Sequence, residues 1–207
     1  MTEIIPSVHV FPFDADTIMK TLETAGRTCY KSEHRVTAES AAPFVRARIN
    51  ERHTSVLEHA VITVRFVCDR GVSHELVRHR LASYCQESTR YVNYRGSGIG
   101  IIHPAGLTEA QRERRETLYR EIEAVYAAEI GEGLKPQLAR GVLPTSLKTE
   151  VVMTCNLKQW LHVIRQRADA AAHPQIRELM LTLLEELNRR LPVVFSHLYQ
   201  EIHQCQS

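Results

Sequence analysis

The sequence lacks the patterns that define several common classes of protein. Its five cysteines are odd in number and widely separated, and no C-x-x-C occurs, so neither a disulfide framework nor a zinc site is predicted. No apolar run is long enough for a transmembrane helix. The N-terminal segment carries acids and a proline where a targeting segment would have a basic start and an apolar run. We therefore expect a cytoplasmic protein with reduced thiols and no membrane partner.

Charge and aromatic content are also low for a nucleic-acid-binding protein. The formal net charge is only +2 over 207 residues, and aromatic residues make up 6% of the chain. Both values are weak evidence for a partner that needs a strongly basic surface and stacking platforms. Apolar residues make up 43% of the chain, enough for a real core, and the length favours a single domain over residues 1–207.

Two short patterns resemble known sites but fail on spacing. "RGSGIG" reads G-x-G-x-G, follows no clear strand and opens no helix, so residues 94–104 are predicted to be a loop. "HTSVLEH", residues 53–59, fits no zinc-protease motif and lacks a third ligand. It is interpreted as a loop and helical turn that enters a strand, with Thr54 or Ser55 as the cap.

A thiol nucleophile is not favoured at Cys85. His79 lies six residues earlier, and residues six apart on one helix do not touch. Cys85 is therefore predicted to be a buried, inert thiol.

Hydrophobic periodicity predicts an α+β fold. Residues 59–69 and 147–156 alternate apolar and polar side chains and are predicted to be strands. The helices are predicted over residues 15–28, 38–51, 73–83, 108–133, 136–140, 157–169 and 174–189, and after Pro192. Two separated strands among many helices favour α+β over a doubly wound parallel sheet.

The stretch "RHRLASYCQESTRY", residues 78–91, concentrates cationic side chains among apolar ones. A solvated basic helix end is one interpretation, because cations favour helix C-termini. The other is a helix whose Arg78, His79 and Arg80 point in different directions toward one or two bound anions. Ser88 and Arg90 are two apart, so in an extended segment they would face one side and could hold a phosphate.

A second basic surface lies on the helix that follows the second strand. On a helical wheel Lys158, His162 and Arg165 share one flank, whereas Leu157, Trp160 and Ile164 form the core face. Arg167 returns to the edge of that core face near Asn156. A solvated charged face explains the flank well but explains Arg167 less well.

Residues 78–90 resemble the signature of the flavin-dependent thymidylate synthases, R-H-R-x-x-S-x-N-x-x-S-x-R. The chain departs from it only at Cys85, where the signature has asparagine. "HTSVLEH", "ARGVLP" at residues 139–144 and "LHVIRQRADAAAHPQIR" at residues 161–177 are similar to further family elements, in order.

This resemblance implies an α+β fold with a central, mostly antiparallel sheet and flanking helices, assembled as a homotetramer with active sites between subunits. It implies dUMP as substrate, FAD as cofactor, and 5,10-methylenetetrahydrofolate and NADPH as cosubstrates, for the synthesis of dTMP. Reduced flavin would deliver the hydride, with no cysteine attack on the uracil ring.

The resemblance also implies roles for individual residues. Arg167 matches an arginine that binds dUMP and polarises its ring, which makes it the catalytic candidate. His53 matches a histidine near folate and flavin. The other positions that match dUMP contacts are Glu75, Arg78, Gln86, Glu87, Ser88, Thr89, Arg90 and Arg140. The positions that match FAD contacts are Ser55, Arg78, His79, Arg80, Gln86, Asn156, Lys158 and His162.

Two of these positions depart from the family. Glu75 stands where glutamine is usual, and Gln86 where an acid is frequent. Two other functions stay open: a non-catalytic nucleotide- or RNA-binding module that uses the same basic surface, and a conventional thymidylate synthase with a cysteine nucleophile. Bound flavin would exclude the first, and the arginine signature disfavours the second.

Overall fold

The structure, a computed structural model, describes residues 1–204 except for the side chain of Ser97. The chain divides into two compact units. Unit 1 comprises Met1–Ser7, Phe66–Arg78 and Tyr84–Val152. Unit 2 comprises Val8–Arg65, His79–Ser83 and the described residues from Met153 onward. A single domain over residues 1–207 stays a prediction, and Cys205, expected to be a reduced thiol, lies outside the described residues.

The described residues form six strands. They are β1 (Thr2–Glu3), β2 (Ser7–Val10), β3 (Val61–Asp69), β4 (Ser83–Gln86), β5 (Gly100–Ile101) and β6 (Lys148–Asn156). A four-stranded sheet has the order β2-β3-β6-β4, and β1 pairs with β5 in parallel. At one end of β3 the Leu157 N–H donates to Ala60 O, and at the other the Arg70 N–H donates to Leu147 O. β3 and β6 therefore run antiparallel, and the prediction of a mostly antiparallel sheet is confirmed.

Helices make up most of the rest of the described chain. They are α1 (Ala15–Tyr30), α2 (Ala41–Asn50), α3 (Arg70–Leu76), α4 (Tyr94–Ser97), α5 (Glu109–Gly131), α6 (Pro136–Ala139), α7 (Leu157–Arg167), α8 (Pro174–Arg190) and α9 (Pro192–Gln204). Short 3₁₀ turns cover Glu33–Arg35, Thr54–His59 and Arg140–Val142. Thr108 and Gln111 form a reciprocal capping box at the start of α5. The mixed fold predicted from the sequence is confirmed.

Each unit has its own apolar packing. In unit 1 the two buried tyrosines of α5, Tyr119 and Tyr126, pack in a cluster with Ile99, Ile101 and Leu147. In unit 2, α7 packs against α8 and α9, and α1 against α2. Trp160 of α7 is fully buried, and its Nε1–H donates to Ile62 O of β3 at 3.0 Å. That bond and the burial fix α7 against the strand.

The predicted helix over residues 73–83 is wrong in its extent. α3 begins at Arg70, because the Asp69 carboxylate accepts the Val72 N–H at 2.7 Å, and it ends at Leu76. The Tyr84 hydroxyl donates to Leu76 O at 2.7 Å. Residues 83–86 form β4 beside β6, a long-range pairing that local periodicity does not reveal. Arg78, His79 and Arg80 therefore lie beyond the helix.

Two smaller predictions also fail. Residues 94–104 contain the short α4 and β5 as well as loop, and β1 and β2 were not predicted. The turn at Thr54–His59 has His53 at its N-cap position with no side-chain cap bond, so neither Thr54 nor Ser55 caps it.

Within residues 1–204, no helix combines the length and apolar content that a membrane span requires.

Candidate active site

A tight turn in unit 1 carries the proposed phosphate-binding residues. The N–H groups of Tyr91 and Val92 donate to Ser88 O at 3.1 and 3.0 Å. The Ser88 hydroxyl oxygen accepts the Arg90 N–H at 3.2 Å. The extended segment expected here is therefore wrong, because these local bonds close it into a turn. The turn, and not an extended conformation, places Ser88 and Arg90 close together.

Two residues from distant parts of the chain join this turn. The Arg90 Nε–H donates to Gln137 Oε1 at 3.1 Å, and Arg140 Nη1 donates to Thr89 Oγ1 at 3.4 Å. Arg90 and Arg140 are both exposed, and Thr89 is buried. Exposed guanidinium groups held by neutral oxygens keep their full charge for an anion.

The carboxylate of Glu87 points into a network inside unit 1. Tyr94 Oη donates to it at 2.9 Å, and Lys148 Nζ donates at 3.0 Å. Burial, with the nearby Glu87 charge, raises the pKa of the Tyr94 hydroxyl, which stays a donor. The predicted dUMP contact of Glu87 would therefore come from its backbone, or from its side chain after the bonds to Tyr94 and Lys148 rearrange.

Gln86 is oriented by a second set of hydroxyl groups in unit 1. Its Nε2 donates to Ser73 Oγ at 2.9 Å and to Thr149 Oγ1 at 3.3 Å. A carboxylate could not donate these bonds, so the amide at this position has a local structural reason. On the neighbouring helix Glu75 is half-buried, and Arg78, just past its end, is exposed.

His79 and Arg167 meet in unit 2. The Arg167 Nε–H donates to His79 Nε2 at 3.0 Å, and the ring of His162 lies 6.1 Å from that of His79, edge to face. His79 is only 6% exposed. Burial, followed by the charges of Arg167 and His162, lowers the pKa of His79 to about 4. The imidazole is therefore neutral at physiological pH, as its acceptor role requires.

Arg78, His79 and Arg80 differ in their exposure. Arg78 and Arg80 are exposed, and so are their apolar neighbours Val77 (37%) and Leu81 (74%). Of the three, only His79 is buried. Desolvation therefore does not force the two arginines to find an anion, although they remain available to one.

A cavity of about 620 Å³ in unit 2 collects several flavin candidates. It is lined by Glu58, Leu81, Asn156, Lys158, Gln159 and His162. Lys158 Nζ donates to Glu58 Oε1 at 2.6 Å, and Asn156 Oδ1 caps α7 by accepting the Gln159 N–H at 2.8 Å. The predicted exposure of the flank that carries Lys158 and His162 is confirmed.

A second cavity of about 440 Å³, also in unit 2, borders Lys158 from another side. His53 and Ser55 line it together with Tyr30, Arg48 and Arg52. The Tyr30 hydroxyl lies 3.3 Å from His53 Nδ1, and His53 is exposed. His53 and Ser55 thus share one concave surface.

The residues of unit 2 suit a flavin nucleotide. Cavities of these volumes are typical of ligand sites, which combine apolar walls with a few polar groups. Lys158 and Arg52 could meet a pyrophosphate, and the exposed side chain of Leu81 offers an apolar surface to a ring. A third cavity, of about 300 Å³ in unit 1, contains none of the candidate residues.

The cysteines differ in their exposure, and Cys85 departs from its prediction. That residue is exposed, because β4 turns alternate residues outward, so its predicted burial is wrong. Cys68 and Cys155 are buried. Burial raises the pKa of Cys68 to about 12 and also raises that of Cys155. Both stay protonated and non-nucleophilic at neutral pH.

Sequence reasoning missed residues that hold the candidates in place. Gln137 holds Arg90, and no local signal marked it. Glu58 pairs with Lys158, and it lies in the "HTSVLEH" segment, so that motif could have identified it. Among residues 1–204, no group of three or more histidines, cysteines and carboxylates is placed to hold a metal ion.

Comparisons with known proteins show the family to which the chain belongs. A family model described as thymidylate synthase complementing protein matches residues 14–193. A flavin-dependent thymidylate synthase of Geobacter sulfurreducens is 33% identical over 180 residues, covering 83% of this chain and 78% of the relative. One from Mycobacterium tuberculosis strain H37Rv is 36% identical over 203 residues, covering 88% and 80%.

The fold is shared with a solved enzyme. The crystal structure of a UMP/dUMP methylase, PolB from Streptomyces cacaoi bound with 5-Br dUMP, aligns with a TM-score of 0.78. The alignment covers 95% of this chain and 96% of that one at 20% sequence identity. At that identity the likeness concerns the fold.

Proposed function

Because the chain belongs to the thymidylate synthase complementing protein family, that of the flavin-dependent thymidylate synthases, we propose that it methylates dUMP to dTMP. The matching family model spans most of the chain, and the relatives align over most of their own lengths. The protein is accordingly a methyltransferase that uses FAD.

One observation carries the assignment of the nucleotide. Arg140 lies fifty positions beyond Arg90 in the sequence, yet it donates to Thr89 Oγ1 at 3.4 Å, next to Ser88, whose hydroxyl oxygen accepts the Arg90 N–H at 3.2 Å. Two guanidinium groups and a serine hydroxyl form a donor set suited to a phosphate monoester. We assign the dUMP phosphate to this set.

Arg167 is the proposed catalytic residue. A guanidinium beside the N3–O2 edge of uracil would stabilise the negative charge that develops as the ring is activated. Its Nε is already fixed on His79, so the guanidinium plane is held before any ligand arrives. Gln86 and Arg78 are proposed to touch both nucleotide and flavin, and Glu75 to accept a hydrogen bond from the nucleotide.

When bound and reduced, FAD would supply the hydride that converts the transferred methylene group into a methyl group. Ser55, Arg80, Asn156, Lys158 and His162 are proposed to hold it in unit 2. Lys158 would exchange its bond with Glu58 for a phosphate oxygen, which is feasible because both side chains are about half exposed.

We propose 5,10-methylenetetrahydrofolate as the carbon donor and NADPH as the reductant. The support for folate is His53, an exposed ring in the same cavity as Ser55. Two nearby cations, Arg48 and Arg52, would favour an anionic cosubstrate there.

We also propose a homotetramer whose active sites use residues from more than one subunit. Leu81 and Tyr91 are 74% and 76% exposed and flank the candidate arginines in the sequence. Large exposed apolar side chains beside functional residues are typical of surfaces that a partner covers.

The enzyme and the binding-module alternative differ in colour and product. We expect the purified protein to show the visible absorption of oxidised flavin and to form dTMP from dUMP, methylenetetrahydrofolate and NADPH. A colourless protein that binds dUMP, stays inactive and takes up no added FAD would favour the binding module.

A further inference from the structure

His79 has a relationship to Arg167 that its predicted role as a flavin contact does not explain. The acceptor in their 3.0 Å bond is His79 Nε2, so that nitrogen carries a lone pair and the ring proton is on Nδ1. Only 6% of the residue is exposed, so packing holds the ring in place.

Arg167 needs such a partner because of where it lies. It is the last residue of α7, where the chain leaves the helix, and it is half-buried. An arginine side chain has about 2 kcal/mol of rotamer entropy to lose when it is held in one geometry. A bond at Nε fixes the plane of the whole guanidinium group, because all its nitrogens are coplanar.

We propose that His79 is a positioning residue: its unprotonated Nε2 fixes the guanidinium of Arg167, and it contributes to methylation through Arg167, beyond its predicted contact with FAD. This inference rests on the proposed function for its catalytic consequence. The contact itself can be tested without turnover.

His79→Leu removes the acceptor and keeps an apolar side chain of similar size. His79→Gln retains an acceptor, since a glutamine amide oxygen can occupy the position of Nε2. His79→Met is a second apolar variant in case the leucine variant does not fold, and His103→Leu is a control for loss of a half-buried histidine elsewhere.

The first readout is the Nε–H signal of Arg167 in ¹⁵N NMR spectra, assigned by its disappearance in Arg167→Lys. We expect slow solvent exchange in the parent protein, His79→Gln and His103→Leu, and fast exchange in His79→Leu and His79→Met. Equal exchange rates in all five proteins would overturn the proposal.

The second readout is the single-turnover rate of dTMP formation. We expect His79→Leu to lower it about ten- to a hundredfold at saturating FAD, as for a misplaced catalytic group. His79→Gln should recover most of the loss, and His79→Leu should add nothing in an Arg167→Ala background.

A loss of the same size in the Arg167→Ala background would show that His79 acts independently of Arg167 and would overturn the proposal. If the parent protein forms no dTMP at all, the proposed function fails. The exchange measurement still decides whether His79 fixes Arg167.

Discussion

Arg140 and Thr89 are 51 positions apart in the sequence, yet Arg140 Nη1 donates to Thr89 Oγ1 at 3.4 Å. This bond ties the 3₁₀ turn of Arg140–Val142 to the turn at Ser88 and Arg90 within unit 1. Two cationic groups and a hydroxyl are thereby held close together, and the two arginine side chains donate to the neutral oxygens of Gln137 and Thr89. We interpret the cluster as the phosphate site for dUMP.

Arg90→Ala and Ser88→Ala should each weaken dUMP binding while leaving the flavin spectrum unchanged. A charge-assisted hydrogen bond contributes about 1.5–3 kcal/mol, so Arg90→Ala should raise the Kd for dUMP roughly 10- to 100-fold. Ser88→Ala should have a smaller effect. Calorimetric titration with dUMP measures both, with Arg114→Ala, which removes an exposed arginine of α5, as the control. An unchanged Kd in Arg90→Ala would exclude the phosphate assignment.

Gln137→Ala should weaken dUMP binding less than Arg90→Ala does. It removes the acceptor that orients the Arg90 Nε–H but leaves the charge in place. We expect the lost orientation of Arg90 to cost about 1 kcal/mol of binding free energy, which corresponds to roughly fivefold in Kd. In an Arg90→Ala background the effect of Gln137→Ala should vanish, and a persistent effect there would mean that Gln137 contacts the ligand directly.

Arg167→Ala should keep FAD and lose most of the dUMP-dependent oxidation of reduced flavin. Removing one preorganised donor typically costs about 10²–10³ in rate. Stopped-flow absorbance of the flavin after mixing with dUMP and methylenetetrahydrofolate gives this rate directly. A rate equal to that of the parent protein would remove Arg167 from the chemistry.

Sequence reasoning succeeded where structure is local and periodic. β3 and β6 each have alternating apolar residues over nine positions, and α5 lies within the helix predicted over residues 108–133. The resemblance supplied the candidate residues, and the structure brings Ser88, Thr89, Arg90 and Arg140 together within unit 1.

Sequence reasoning failed where long-range pairing decides the outcome. The segment after α3 has helical periodicity, but residues 83–86 pair with β6 instead, which ends the helix before Arg78 and exposes Cys85. The contact of Arg90 with Gln137 and that of His79 with Arg167 join residues 47 and 88 positions apart. No local pattern predicts such contacts, since they depend on tertiary packing.

Cys85→Ala should remain active. The residue is exposed on β4, and the buried thiols of Cys68 and Cys155 have raised pKa values, so none of the three is a favourable nucleophile. Steady-state dTMP formation should stay within about twofold of the parent rate, as is usual for surface substitutions. Complete loss of activity in a folded variant would restore the hypothesis of a cysteine nucleophile.

Stability should fall as the pH drops through the range in which His79 titrates. Its pKa is about 4 when folded, against an ordinary value near 6.5, because of burial and the charges of Arg167 and His162. The unfolded chain therefore binds a proton first, and stability is lost as pH falls from about 6.5 to about 4, by on the order of 3 kcal/mol.

Urea unfolding of the parent protein and of His79→Gln across this pH range measures that contribution. Because glutamine does not titrate, the free energy of unfolding of the parent protein minus that of His79→Gln should decrease as the pH falls. A difference that is constant with pH would show that His79 titrates normally in the folded protein.

The central claim is that reduced flavin supplies the hydride for methylation of dUMP. It is tested most directly by anaerobic single turnover of the FAD-reduced protein with dUMP and methylenetetrahydrofolate, with oxidised flavin and dTMP quantified in the same samples. We predict one dTMP and one tetrahydrofolate for each flavin oxidised, and no flavin oxidation when dUMP is left out. Reduced flavin that persists beside unreacted dUMP, or dTMP formed without flavin oxidation, would contradict the account.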